Sequence, residues 1–97
     1  MQATSILARA ADLVGGDRRA QHGDAAALHA TIARLWNVYL CARPGRMIEA
    51  HDVAMMMALL KVARTTTGAH NEDNYVDGAG YIAIGGQLAQ PEKGHED

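Results

Sequence analysis

The sequence predicts an all-α domain, a bundle of four helices. Three observations predict it. Apolar residues recur at helical spacing through most of the 97 residues. β-branched residues never run in strand-like alternation. Turn residues (Gly15-Gly16, Pro44-Gly45) divide the chain into helix-length pieces. Apolar residues make up 48% but aromatics only 4%, with no Phe, so small and aliphatic side chains must fill the core. That composition suits helices lying close together.

The first helix is expected over residues 5–14, capped by Thr4 or Ser5. Ile6, Leu7, Ala10, Leu13 and Val14 share a face, and Gly15-Gly16 end it. A polar segment follows, Asp17–Asp24, with Asp24 placed to cap the second helix, residues 24–42. Leu28, Ile32, Leu35 and Tyr39 form its main stripe. His29 and Trp36 lie along one border, Arg34 and Asn37 on the opposite side. Arg43-Pro44-Gly45-Arg46 makes a turn.

The third helix spans residues 49–66, with acids in its first turn to complement the helix dipole. It is apolar nearly all round, interrupted by Lys61, Arg64 and Thr65. The fourth spans 74–90, its expected main stripe being Asn74, Asp77, Tyr81, Ile84 and Leu88. Four glycines inside it each cost about 1 kcal/mol against alanine. Close approach of a neighbouring helix or a ligand would offset that. Residues 1–90 read as one domain, and 91–97 as a disordered tail. Two helices apolar all round cannot both be covered by two others in a chain this small. A homodimer or homotetramer, with the third and fourth helices at its interface, is the simplest cover.

The bulk numbers narrow the function. A formal charge of −2 supplies no basic field for nucleic acid. No signal peptide or membrane span is read. One cysteine, Cys41, rules out an internal disulfide and fits a reducing cytoplasm.

The chemistry concentrates between Asp52 and Leu88, where Lys61, Arg64, Asp73, Asp77 and Tyr81 interrupt apolar surface. Asp73 and Asp77, four apart, can project from one helix face and offer two hard oxygens to Mg2+. Equally, they can serve as a helix-start acid and a salt-bridge partner. Lys61 and Arg64 can neutralise phosphate charge or bridge to those acids. In the loop before the second helix, Asp17, Arg18, His22 and Asp24 offer either a ligand contact or a solvated turn. His29 is a candidate general base or a core histidine. Trp36 and Tyr81 are candidate stacking residues or core. Asn37 is a candidate base reader or a solvated residue.

The segments GDRRAQHGD, LHATIARLW, DVAMMMALLKVAR and DNYVDGAGYIA follow one another at intervals that resemble a small phage and prophage family of MazG-like proteins. Its wider superfamily is the all-α nucleoside triphosphate pyrophosphohydrolases. The resemblance covers about residues 5–89. It implies a helical dimer or tetramer that binds a nucleotide between helices. With magnesium on acidic residues, such an enzyme yields a monophosphate and pyrophosphate. It would assign Asp73 and Asp77 to the metal, with Asp77, Lys61 and His29 catalytic. Arg64, Lys61, Arg18, Trp36, Asn37 and Tyr81 would bind substrate. This chain departs from the superfamily in having no E-x-x-E pair; Asp17, Asp24, Glu49, Asp52, Asp73 and Asp77 are its acids in plausible positions. Two alternatives therefore stand beside hydrolysis: a nucleotide-sequestering phage protein without chemistry, and a small inhibitor of a host protein.

Overall fold

Among the described residues, helical periodicity does produce four helices. The computed structural model describes residues 2–15 and 24–91, and the helices in it are α1 (Ala3–Gly15), α2 (Ala25–Cys41), α3 (Ala50–Arg64) and α4 (Glu72–Leu88). No strand occurs among the described residues. The boundaries differ from expectation by a few residues, mostly through local capping. α4 starts earlier because Asn71, not a later residue, is its cap: its side-chain oxygen accepts the Asp73 N–H at 3.0 Å. Asp24 caps α2 as expected, accepting the Ala26 N–H at 2.8 Å. The tail expected from residue 91 and the polar segment Asp17–Gly23, with its candidates Asp17, Arg18 and His22, fall at or beyond the edges of the described residues.

The core is built on α3. Its small residues Ala54, Ala58 and Ala63 are buried, and they let neighbours come close. On one side α2 contributes Leu28 and Ile32, which cluster with Ala63; Leu35, Trp36 and Leu60 close over them. Trp36 fixes the register of this contact, because its Nε1–H donates to the Met56 carbonyl at 2.7 Å. A buried indole N–H needs such a partner.

On the other side α4 lies along α3 in the most extensive packing among the described helices. Its seam is Asn74, Gly78, Tyr81 and Gly85, rather than the expected stripe through Asp77, Ile84 and Leu88. Those last three are exposed. The glycines explain the shift. A Cβ on Gly85 would lie 3.0 Å from Met55 Sδ, and one on Gly78 would lie 3.5 Å from Lys61 Cβ. The bare edge of α4 thus faces α3, and the larger apolar residues flank it. Gly80 and Gly86 face open space, so close approach explains only two of the four.

α1 buries no residue at all. Its stripe of Ile6, Leu7, Leu13 and Val14 is exposed.

Candidate functional site

Two polar constellations are built on this frame, at opposite kinds of place. The first sits at the corner between α2 and α3. The turn after α2 reverses at Gly45, whose φ of 76° suits glycine. That reversal returns the chain so that Asp52, in the first turn of α3, lies under the end of α2. Asp52 is 0% exposed. Its Oδ1 accepts the Tyr39 hydroxyl at 2.6 Å, and its Oδ2 accepts the Glu49 N–H at 2.8 Å. Arg43 Nη2 lies 2.9 Å from Oδ2, and His51 Nε2 lies 3.3 Å from Oδ1. The Arg43 contact has ion-pair distance without hydrogen-bond geometry, and Nη1 has no partner either. The guanidinium also stands 5.9 Å from the Tyr39 ring centroid.

Burial pushes the Asp52 carboxyl up, but the Tyr39 hydroxyl, the Glu49 amide, Arg43 and His51 outweigh it and hold the group below its ordinary value of 3.8. Tyr39 moves the other way: burial and its bond to the Asp52 carboxylate raise it above 10.0. Glu49, His51 and Asp52 bring three metal-type ligand atoms within 4.8 Å of one another. However, a cation there would face the Arg43 charge, and both Asp52 oxygens already accept hydrogen bonds. The corner is therefore a structural latch.

The pH dependence of stability follows from these shifts. A depressed Asp52 contributes stability that is present above about pH 3.8 and lost as the pH falls through its folded value. A raised Tyr39 contributes stability that is present below about pH 10.0 and lost as the pH rises through its folded value. Denaturant titrations across pH should thus show loss on both sides of a plateau. Tyr39→Phe should abolish the alkaline loss and move the acid loss to higher pH. Identical profiles for the two proteins would contradict the coupling.

The second constellation lies between α3 and α4. A half-open groove of about 300 Å³ is lined by Lys61, Thr65, Asn74 and Tyr75, with Ala58, Val62, Gly78, Ala79 and Ile82. Lys61 Nζ is 3.1 Å from Asp77 Oδ2; the lysine side chain is 14% exposed and the aspartate 47%. The lysine stem lies along the glycine edge of α4 and its charge reaches the rim. Asn74, on the wall, is 5% exposed. Arg64, three residues from Lys61, has a buried Nε without a hydrogen-bond partner.

The structure therefore brings Lys61 and Asp77 together. It does not join Arg64 to Asp73 or Asp77 by an ion pair. Asp73 is exposed in the first turn of α4. The other candidates stand apart from the groove lining. His29 is exposed rather than in the core, its Nδ1–H donating to the Ala25 carbonyl at 2.6 Å. Trp36 packs on the core, Asn37 is exposed, and Tyr81 is half-buried on the α3–α4 seam. Sequence reading missed the hub role of Asp52 and the groove position of Asn74. The pairing of Glu49 with an acid three residues on is a helix-start signal that pointed to the former.

A family model described as a domain of unknown function, DUF6378, matches residues 5–89, nearly the whole chain. This chain belongs to the DUF6378 family. The Gene 55 protein of Mycobacterium phage L5 is 39% identical over 88 residues, 91% of this chain and 54% of that protein. The Gene 55 protein of Mycobacterium phage D29 is 35% identical over 77 residues, 79% and 48% of the respective chains. This DUF6378 chain thus spans about half the length of the phage proteins that it matches. No solved structure matches it significantly. Among the described residues no helix is long and apolar enough to cross a membrane.

Proposed function

We propose that this DUF6378 chain binds a nucleoside triphosphate in the α3–α4 groove and acts as a MazG-like nucleotide pyrophosphohydrolase. The observation that carries this reading is Lys61, a largely buried cation tethered to Asp77 at the rim of an apolar-walled groove. The groove is at the small end of the range for ligand sites and has the usual lining, apolar walls with a few polar groups. In the proposed cycle Lys61 Nζ exchanges the Asp77 carboxylate for phosphate oxygens. That exchange leaves Asp77 free as an acceptor for the attacking water. Arg64 adds a second cation from the same helix.

Asp73 and Asp77 both reach solvent and stand one turn apart, which fits a largely hydrated Mg2+ completed by phosphate oxygens. When bound there, the ion would neutralise charge on the leaving pyrophosphate. The test is release of pyrophosphate and a monophosphate from a nucleotide panel at micromolar protein with magnesium or manganese. Absence of turnover with every nucleotide would count against hydrolysis.

One observation favours a second reading, sequestration without chemistry. Asp77 is already neutralised by Lys61, and no E-x-x-E pair supplements it. This reading predicts binding without metal and recovery of the ligand unchanged.

The groove is proposed to work within a homo-oligomer. Eleven large apolar residues on α1, α3 and α4 are about half exposed or more, among them Ile6, Leu13, Val62, Tyr75, Ile82 and Leu88. Apolar surface on this scale marks an association site. Light scattering is expected to give a mass of two or four times 10.3 kDa. The double variant Ile6→Glu, Leu13→Glu should lower that mass while keeping helicity. A wild-type mass of one chain would contradict self-association.

A further inference from the structure

We propose that Asn74 reads the base of the ligand in the α3–α4 groove. The inference rests on the nucleotide-binding reading above and adds to it a specificity residue. Among the described residues Asn74 is one of two buried polar residues, and the two have very different surroundings. Asp52 is engaged by a hydroxyl, a backbone amide, a guanidinium and an imidazole. The backbone N–H of Asn74 donates to the Asn71 carbonyl at 3.1 Å. Its side-chain amide, by contrast, makes no hydrogen bond among the described residues; the residue is only 5% exposed, yet its amide atoms are not sealed from solvent, the buried and unpartnered ones belonging to Arg43 and Arg64. The little surface it keeps opens on the groove that it lines with Lys61 and Thr65.

An amide that meets only groove water keeps its donor and acceptor for a ligand that displaces that water. The groove supplies a reason for the amide. Asn offers a donor and an acceptor side by side, the pattern that pairs in bidentate fashion with a base edge such as N6 and N7 of adenine. Tyr75, Val62 and Ile82 provide apolar walls for a planar ring, and Lys61 marks the phosphate end. The ligand class is therefore a nucleoside phosphate whose base presents a donor next to an acceptor.

The experiment is calorimetric titration of wild type and Asn74→Ala with the common nucleoside triphosphates and with inorganic tripolyphosphate, alongside melting temperatures without ligand. The expected result is selective. Asn74→Ala weakens the preferred nucleotide about 10- to 100-fold, the range for losing a bidentate base contact. Tripolyphosphate binding and the ligand-free melting temperature are kept. Loss of both ligands together with a lower melting temperature would make Asn74 a packing residue and overturn the proposal. Unchanged nucleotide affinity in the variant would also overturn it, leaving the nucleotide reading intact. Binding of no nucleotide by wild type would sink both.

Discussion

Asp52→Ala is expected to lower the melting temperature by more than about 10 °C, the largest stability effect of any single change in this chain. The reason is what the carboxylate leaves behind. Without it, the Tyr39 hydroxyl and the Arg43 guanidinium, only 11% exposed, have no acceptor in a dry corner. The Glu49 N–H at the start of α3 also loses its partner. Breaking a buried pair from one side is much worse than removing it whole. The triple change Asp52→Leu, Arg43→Met, Tyr39→Phe should therefore recover part of the loss. Thermal unfolding followed by circular dichroism checks both. A melting temperature for Asp52→Ala within a degree or two of wild type would show that the corner contributes little.

Lys61→Ala should have the opposite profile, with a small effect on folding and a large one on binding. Its ion pair with Asp77 is half open to water, and such pairs are worth at most about 1 kcal/mol. In the groove, however, the same amine is the cation placed to meet phosphate. Losing a charge-assisted contact in a partly dry site costs about 2–4 kcal/mol, so affinity for a nucleoside triphosphate should fall roughly 30- to 1000-fold. Asp77→Asn provides the contrast. It releases Lys61 from its internal partner, so metal-free binding should hold or tighten while any turnover falls. Equal affinity of wild type and Lys61→Ala, measured by calorimetry, would remove the lysine from the ligand.

Much of the fold was legible because helical periodicity and punctuation are local properties. The stripe Leu28, Ile32, Leu35, Tyr39 marks the inner face of α2, and Asp24 marks its start. The seam of α4 was misread because glycines carry no hydropathy signal. A wheel weights Ile84 and Leu88, whereas the backbone approach at Gly78 and Gly85 decides which edge faces α3. In the site, the Lys61–Asp77 pair followed from opposite charges on neighbouring helices. Asp52 did not stand out, since a helix-start acid usually lies in solvent. Its burial depends on the turn at Gly45, which folds Tyr39 and Arg43 over it. Asn74 was visible only as one member of a stripe, because which residues of a stripe line a groove shows only in three dimensions.

The most direct test of the groove is a two-dimensional amide NMR titration of the assigned protein with nucleoside triphosphates, with and without magnesium. Saturable shifts centred on Lys61, Thr65, Asn74 and Gly78, with the Tyr39–Asp52 corner unmoved, are the predicted result. No shifts with any nucleotide, or shifts confined to surfaces away from α3 and α4, would contradict it.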